Sequence, residues 1–120
     1  MSTNATIGIK NEDGTIRSVY LHWDGYPSYT GKMLNENYLD REKVEKLINL
    51  GNLSYLAKEV EPTKAHSFEQ PQRDVTVAYH RDRGEDYNPP SVDLDINEFK
   101  KNCEQYAYLF TLDNRWEMYP

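Results

Sequence analysis

Two similar peptides hold most of the side chains in this 120-residue chain that could bind a ligand or transfer a proton. One reads His22-Trp23-Asp24-Gly25-Tyr26-Pro27, and the other reads Tyr79-His80-Arg81-Asp82-Arg83-Gly84-Glu85-Asp86-Tyr87. Each places a His two residues before an Asp and then breaks into a Gly-containing loop, where folded scaffolds usually carry function. The candidate binding residues are therefore His22, Trp23, Asp24, Tyr26, His80, Arg81, Asp82, Arg83, Glu85 and Tyr87.

An imidazole beside a carboxylate allows two kinds of chemistry, metal binding and acid–base catalysis. Both peptides follow runs of β-branched or aromatic residues, so each His is expected near the end of a strand. If those ends meet, both histidines join the carboxylates of Asp24, Asp82 and Glu85 in one site. The local interpretation is that Asp24 caps the following helix and Asp82 caps the turn at Arg83. We favour the local interpretation over a binding surface and a binding surface over catalysis. We predict no catalytic residue, no metal ligand and no cofactor.

Three arginines lie close together in or near the second peptide: Arg73, Arg81 and Arg83. With neighbouring tyrosines they could hold a phosphate and stack a base, because a guanidinium donates two parallel hydrogen bonds to phosphate. The alternative is internal ion pairing with the acidic residues of the same loop, which are Asp82, Glu85 and Asp86. We favour ion pairing, since the sequence contains no Gly-rich phosphate loop.

Composition limits the class of protein. The length predicts one domain, 1–120, and ten tyrosines supply apolar rings at the margins of its core. The net charge of −6 argues against direct binding of nucleic acid through the overall field, and it suits a basic protein partner. Cys103 is the one cysteine, which indicates a reducing compartment. No signal peptide or membrane span is visible, so we expect a cytoplasmic protein that does not bind membranes.

The first two predicted strands form a hairpin around Asn11-Glu12-Asp13-Gly14-Thr15. A two-residue turn at Asp13-Gly14 would put Ile7 on the face of Tyr20. A three-residue turn, with its Gly in the left-handed region, gathers the aliphatic residues of both strands and Trp23 on one face. We predict this second register and a buried Trp23, because one face of the hairpin is then apolar.

Two helices are predicted next. Pro27 suits a first helical turn, and apolar residues recur at helical spacing as far as Tyr38, although Gly31 weakens this helix. A clearer helix spans residues 41–50, with Asp40 as its N-cap and a glycine as its end.

The middle of the chain gives weaker signals. Residues 52–59 are predicted to form one more short helical turn. Residues 61–74 form a loop of a length that is usually functional or mobile. A strand is predicted over residues 75–79, followed by a charged loop over residues 81–90.

A helix and a hairpin are predicted near the C-terminus. Asp95 stands three residues before Glu98, the spacing of a helix capping box. A three-residue turn, Asp113-Asn114-Arg115, then pairs Leu112 with Trp116. The element order predicts an α+β fold, with a mostly antiparallel sheet of about five strands packed with two to four helices. The predicted core contains Ile7, Ile9, Val19, Leu21, Val77, Phe99 and Phe110.

The chain also resembles a family of small uncharacterised proteins from bacteriophages, prophages and bacterial genomes. The residues that carry the resemblance are the first peptide, the following Lys32-Met33-Leu34, and Val75 with Ala78-Tyr79-His80-Arg81-Asp82-Arg83-Gly84-Glu85-Asp86. It covers nearly the whole chain, and its most specific part is the first peptide. The resemblance implies a phage or prophage origin and implies no particular activity. Small accessory phage proteins often bind and block host defence components.

From these observations we expect a non-enzymatic phage or prophage protein that binds a host protein, as an anti-defence, anti-CRISPR-like inhibitor. One alternative is a binder of a nucleotide-like small molecule, resting on the Arg, Tyr and His residues of the loops. A second alternative is a metal-dependent hydrolase, resting on the two His-x-Asp pairs. We also predict that Arg81, Arg83 and Glu85 are accessible to a partner.

Overall fold

The computed structural model describes residues 2–119, which build one seven-stranded sheet with helices on both faces. The strands are β1 Ala5–Lys10, β2 Ile16–Leu21, β3 Leu53–Tyr55, β4 Val77–Ala78, β5 Ser91–Asp93, β6 Tyr106–Phe110 and β7 Trp116–Tyr119. The helices are α1 Lys32–Asn37, α2 Arg41–Ile48, α3 Tyr79–Arg83 and α4 Ile96–Asn102, and a π-helical turn over Pro27–Gly31 leads into α1.

The strands lie in the order β4-β3-β2-β1-β6-β7, and β5 pairs with the first half of β2 on the side away from β1. The pairs β1–β6 and β2–β3 are parallel, and the other four pairings are antiparallel. The predicted α+β fold with a mostly antiparallel sheet is confirmed. β3 lies where a helical turn was predicted over residues 52–59, so that prediction is wrong. Both β3 and β5 have three residues, too few to show an alternating pattern in the sequence.

The N-terminal hairpin has the predicted register. Ile7 pairs with Val19, and the Asn11 amide donates to the Thr15 carbonyl at 2.8 Å. Gly14 has φ of +89°, in the left-handed region where a side chain would be strained. One face of β1 and β2 is therefore apolar, and the opposite face is mixed.

The apolar face packs under α1 and α2 to form the main core. Its fully or nearly fully buried residues include Ile7, Ile9, Val19, Leu21, Leu34, Tyr38, Val44, Leu47, Ile48, Leu53, Tyr108 and Phe110. All seven residues that the sequence predicted for the core are buried. The predicted helix over residues 41–50 is confirmed as α2, with Asp40 at the cap position.

The opposite face is partly covered by α4. A Cβ atom at Gly8 would lie 3.0 Å from the Phe99 ring, so this glycine allows the helix to approach β1 closely. Phe99 packs there with Ile16 and Leu109 in a second, smaller core. Asp95 caps α4 as predicted, since its carboxylate accepts a hydrogen bond of 2.9 Å from the backbone amide at position 98.

The C-terminal hairpin forms, but its predicted register is wrong by two residues. Trp116 pairs with Phe110, and the three-residue turn spans residues 112–114. Asn114 has φ of +59° at the position that requires a left-handed backbone, which Asn tolerates better than Arg115. A shift of two residues leaves every side chain on its predicted face.

Within residues 2–119, no helix combines the length and the apolar character that crossing a bilayer requires.

Candidate functional site

The two His-x-Asp peptides diverge in the fold. Leu21 pairs with Leu53, and Leu53 pairs with Ala78, so β3 lies between β2 and β4. β3 is parallel to β2 and antiparallel to β4, so the chain leaves β2 and β4 in opposite directions. His22 and His80 consequently belong to two separate surfaces, and the structure does not join the peptides into one site.

His22 belongs to a hydrogen-bonded group on the mixed face of the sheet. The Tyr20 hydroxyl lies 2.7 Å from His22 Nδ1, and the Asn4 side-chain amide donates to the Tyr20 hydroxyl at 2.8 Å. The Tyr20 hydroxyl and His22 Nδ1 thus share a hydrogen bond whose donor depends on the tautomer of the ring. Burial and the nearby Glu104 carboxylate raise the pKa of the Tyr20 phenol above its ordinary value.

The loop after His22 is tightly fixed by Gly25. Its amide donates to the Thr3 carbonyl at 2.8 Å, and its carbonyl accepts from the Tyr108 hydroxyl at 2.7 Å. A Cβ atom at Gly25 would lie 2.7 Å from the Cβ of Ala5, so only glycine fits without movement. Asp24 has φ of +57°, and its carboxylate does not cap the next helix, because the cap position belongs to Tyr26. That part of the local interpretation is wrong.

Three aromatic side chains are exposed around this loop: Trp23, Tyr26 and Tyr55, which we call the aromatic surface. Trp23 is 44% exposed, and the other two are more than one-third exposed. The Trp23 amide donates to the Ser54 carbonyl, which brings the loop against β3. Trp23 was predicted to be buried, and that prediction is wrong. β2 ends at Leu21, and the left-handed turn at Asp24 redirects the chain, so the strand alternation does not continue to Trp23.

The first part of the second peptide is structural. The Asp82 carboxylate accepts hydrogen bonds of 2.8 Å from the Ala78 amide and from Arg81 Nε. The Arg81 guanidinium also donates to the carbonyls of Val60 and Thr76, at 2.6 and 2.7 Å. The Arg81 side chain is only 22% exposed. The prediction that Arg81 is accessible is therefore wrong, and Asp82 caps the start of α3 rather than the turn at its end.

His66 completes this buried cluster, and sequence reasoning missed it. The Gln72 amide donates to His66 Nδ1 at 2.9 Å, so the proton of the neutral ring lies on Nε2, facing Asp82 Oδ2 at 3.1 Å. The alignment is too oblique for a good hydrogen bond. Burial raises the pKa of the Asp82 carboxyl, but hydrogen bonds from Arg81 and the Ala78 amide outweigh it and hold the pKa below its ordinary value.

The loop over residues 61–74 is thus attached to α3. Besides the His66 contact, the Phe68 amide donates to the Asp82 carbonyl, and the Phe68 ring packs 5.9 Å from that of Tyr79. The Arg83 guanidinium lies 4.8 Å above the Phe68 ring. A single histidine within a polar loop gives no periodic signal, so the sequence offered no means of placing it.

The end of the second peptide is exposed. Arg83 Nε lies 3.3 Å from the Glu85 carboxylate, and each side chain is about half exposed, so both predictions of accessibility are confirmed. The His80 ring packs 5.1 Å from that of Tyr87, whose hydroxyl donates to the Asn49 carbonyl at 2.9 Å. Internal ion pairing, which the sequence favoured over a phosphate site, is confirmed for Arg83 here and for Arg81 above.

The candidate residues form surfaces that could contact a partner, rather than a cluster of reactive groups. Among residues 2–119, no three His, Cys, Asp or Glu side chains lie close enough to hold a metal ion, so the hydrolase alternative has no ligand set there. What remains is a rigid aromatic surface at one end of the sheet and an exposed charged turn after α3. The resemblance to phage and prophage proteins stays a prediction, since no family model, curated protein or solved structure matches this chain.

Proposed function

We propose that this chain is a non-enzymatic phage or prophage accessory protein that binds a host protein in the host cytoplasm and inhibits a defence system. The observation that supports binding is the exposure of Trp23 and Tyr26 in one fixed loop and of Tyr55 in the strand that this loop contacts. Tyrosine and tryptophan dominate the energetic centres of protein interfaces, because each buries a large ring and retains a polar tip.

The rigidity of the aromatic surface strengthens the proposal. Four hydrogen bonds to backbone carbonyls hold the loop. The amides of Gly25 and Trp23 donate to Thr3 and Ser54. The hydroxyls of Tyr108 and Thr30 donate to Gly25 and Asp24. A loop that is already ordered costs little further conformational entropy when a partner binds. The Tyr29 hydroxyl, 2.7 Å from that of Tyr55, restricts the third ring as well.

Charge indicates the chemistry of the partner. The chain carries a net charge of −6, so long-range attraction favours a partner with a basic surface. Host proteins that act on nucleic acid present such surfaces, because they neutralise phosphates with Lys and Arg. The proposed partner is therefore a nucleic-acid-binding component of a host defence system.

The test combines a cellular and a direct measurement. Bacteria that carry a nucleic-acid-targeting defence system express the chain and are challenged with a targeted phage, and plaquing efficiency is scored. The purified defence component is then titrated with the chain by calorimetry. We expect the wild-type chain to restore plaquing and to bind, and a Trp23→Ala/Tyr26→Ala variant to lose both while it keeps the circular dichroism spectrum of the folded chain.

The matched control is Leu94→Ala, which removes a more exposed apolar side chain from another part of the surface. It should retain both activities. Full activity of the Trp23→Ala/Tyr26→Ala variant would contradict the assigned surface. Failure of the wild-type chain to restore plaquing against any defence system tested would contradict the function.

A further inference from the structure

Helix α4 divides the mixed face of the sheet into two grooves of opposite character. One, of about 310 Å³, is lined on its polar side by Asp93, Glu98 and Glu104. The other lies between α4 and the β6–β7 hairpin, has a volume of about 820 Å³, and includes the basic residues Lys10, Lys100 and Arg115 in its lining. We call the second one the cationic groove.

The cationic groove combines charge with an apolar lining. Leu109 is buried at its base, and Ile96 and Tyr119 are partly buried at its sides. The six ion pairs found within residues 2–119 do not include any of its three basic residues. Its lining also contains two carboxylates, Asp113 and Glu117, and the Tyr119 hydroxyl donates to the Glu117 carboxylate at 2.6 Å. The groove is thus a local reversal of charge in an acidic chain.

The fold restrains the Lys100 side chain and fixes the backbone at the other two basic residues. The Lys100 ammonium lies 4.7 Å from the centre of the Tyr119 ring, which restrains it beside the groove. Arg115 lies at the end of the hairpin turn, where the Thr111 amide donates to its carbonyl at 2.8 Å. Lys10 is the last residue of β1, and its carbonyl accepts a hydrogen bond from the Arg41 guanidinium at 2.6 Å.

We propose that the cationic groove binds a small anion with an aromatic body, of the nucleotide type. Its volume lies within the range of about 300–1,000 Å³ that is typical of small-molecule sites. The guanidinium of Arg115 can donate two hydrogen bonds to a phosphate, and the partly buried Tyr119 and Ile96 offer an apolar wall to a base. The groove lies where β1 and β6 end, whereas the Trp23 loop follows Leu21, which pairs with Ala5 at the start of β1. The two proposed sites therefore lie at opposite ends of β1.

The experiment tests the aromatic part and the anionic part of the ligand separately. The purified chain is titrated by calorimetry with adenosine monophosphate, adenosine and inorganic phosphate, and 8-anilinonaphthalene-1-sulfonate fluorescence provides a second anionic aromatic probe. We expect adenosine monophosphate and the dye to bind below about 1 mM, with adenosine and phosphate each at least tenfold weaker. A Lys100→Glu/Arg115→Glu variant should bind both probes at least tenfold more weakly, the effect of losing hydrogen bonds to a charged group.

The control is Lys46→Glu/Lys58→Glu, which makes the same change of charge outside the groove and should alter affinity by less than about twofold. The Trp23→Ala/Tyr26→Ala variant should bind both probes normally, which distinguishes this site from the protein-binding surface. Absence of binding by both probes would overturn the proposal. Equal loss in the groove and control variants, or phosphate binding as tight as that of adenosine monophosphate, would also overturn it.

Discussion

His66 Nε2 lies 3.1 Å from the Asp82 carboxylate, with both side chains almost completely buried, at 1% and 3% exposure. The contact joins the middle of a 14-residue segment, 61–74, to the first turn of α3. The Asp82 carboxylate thus has three structural roles: it caps α3, pairs with Arg81 and contacts His66 of the loop. Asp82 therefore stabilises the fold and does not face a binding partner.

Replacement of Asp82 by Asn should lower the free energy of unfolding by about 3 kcal/mol, because it leaves the mostly buried Arg81 guanidinium without its charged partner. Denaturant unfolding at pH 7 measures the loss. Asp86→Asn, at an exposed position of the same loop, is the control and should change stability by less than about 0.5 kcal/mol. A loss below 1 kcal/mol for Asp82→Asn would contradict the structural role.

The lowered pKa of Asp82 also sets the sign of a pH effect. Its native pKa is below the unfolded value of about 4, so the carboxylate stabilises the fold above pH 4. That contribution is lost as pH falls through the native pKa. We expect the Asp82→Asn variant to lose less stability between pH 5 and 3 than the wild type, measured by denaturant unfolding at each pH.

Leu21→Ala should destabilise the chain by about 2–5 kcal/mol, because Leu21 is fully buried under the helices and its removal leaves a cavity. Chemical denaturation with an unchanged m-value would measure this loss. A destabilisation of less than 1 kcal/mol would contradict the hairpin register that places Leu21 in the core.

Gly25→Ala should cost about 1–3 kcal/mol, because the added Cβ would lie 2.7 Å from Ala5 and 2.9 Å from the backbone of Asn4. Gly84→Ala offers a comparison, since Gly84 has φ of +78° but open space around its Cβ position. Its cost should be limited to about 1–2 kcal/mol of backbone strain. If Gly25→Ala also displaces the Trp23 loop, tryptophan fluorescence should change only in that variant.

Arg83→Glu tests whether the exposed turn after α3 takes part in recognition. The Arg83–Glu85 pair is half exposed, so its loss should change stability by less than about 1 kcal/mol. If the turn contacts the proposed host partner, the variant loses binding at an unchanged melting temperature. A joint loss of binding and stability would identify Arg83 as a structural clamp on Phe68. Unaltered binding would confine recognition to the aromatic surface.

Alkaline pH should destabilise the fold through its buried tyrosines. Burial raises the pKa of Tyr38 to about 12, whereas an unfolded tyrosine ionises near pH 10. As pH rises above 10, the unfolded state loses its proton first, so the free energy of unfolding falls by up to roughly 1.4 kcal/mol per pH unit for this residue until about pH 12. Tyr38→Phe should show a shallower fall, after an initial cost of about 1 kcal/mol for the lost hydrogen bond to the Ala57 carbonyl.

Several elements of the fold are determined by local sequence. A left-handed position favours glycine, and Gly14 therefore set the register of the first hairpin. Asp95 and its spacing to Glu98 defined the start of α4, and the apolar spacing of residues 41–50 defined α2. These signals act over fewer than ten residues, so the amino-acid order alone contains them.

Only the tertiary structure decided where the candidate residues lie. β3 is a strand because Leu53 pairs with both Leu21 and Ala78, two partners distant in sequence. The opposite directions of β2 and β4 follow from those pairings, and they separate His22 from His80. The burial of His66, the exposure of Trp23 and the division of the mixed face by α4 likewise depend on packing between distant segments. Such contacts are decided by which surfaces meet in the folded chain, and no local pattern specifies them.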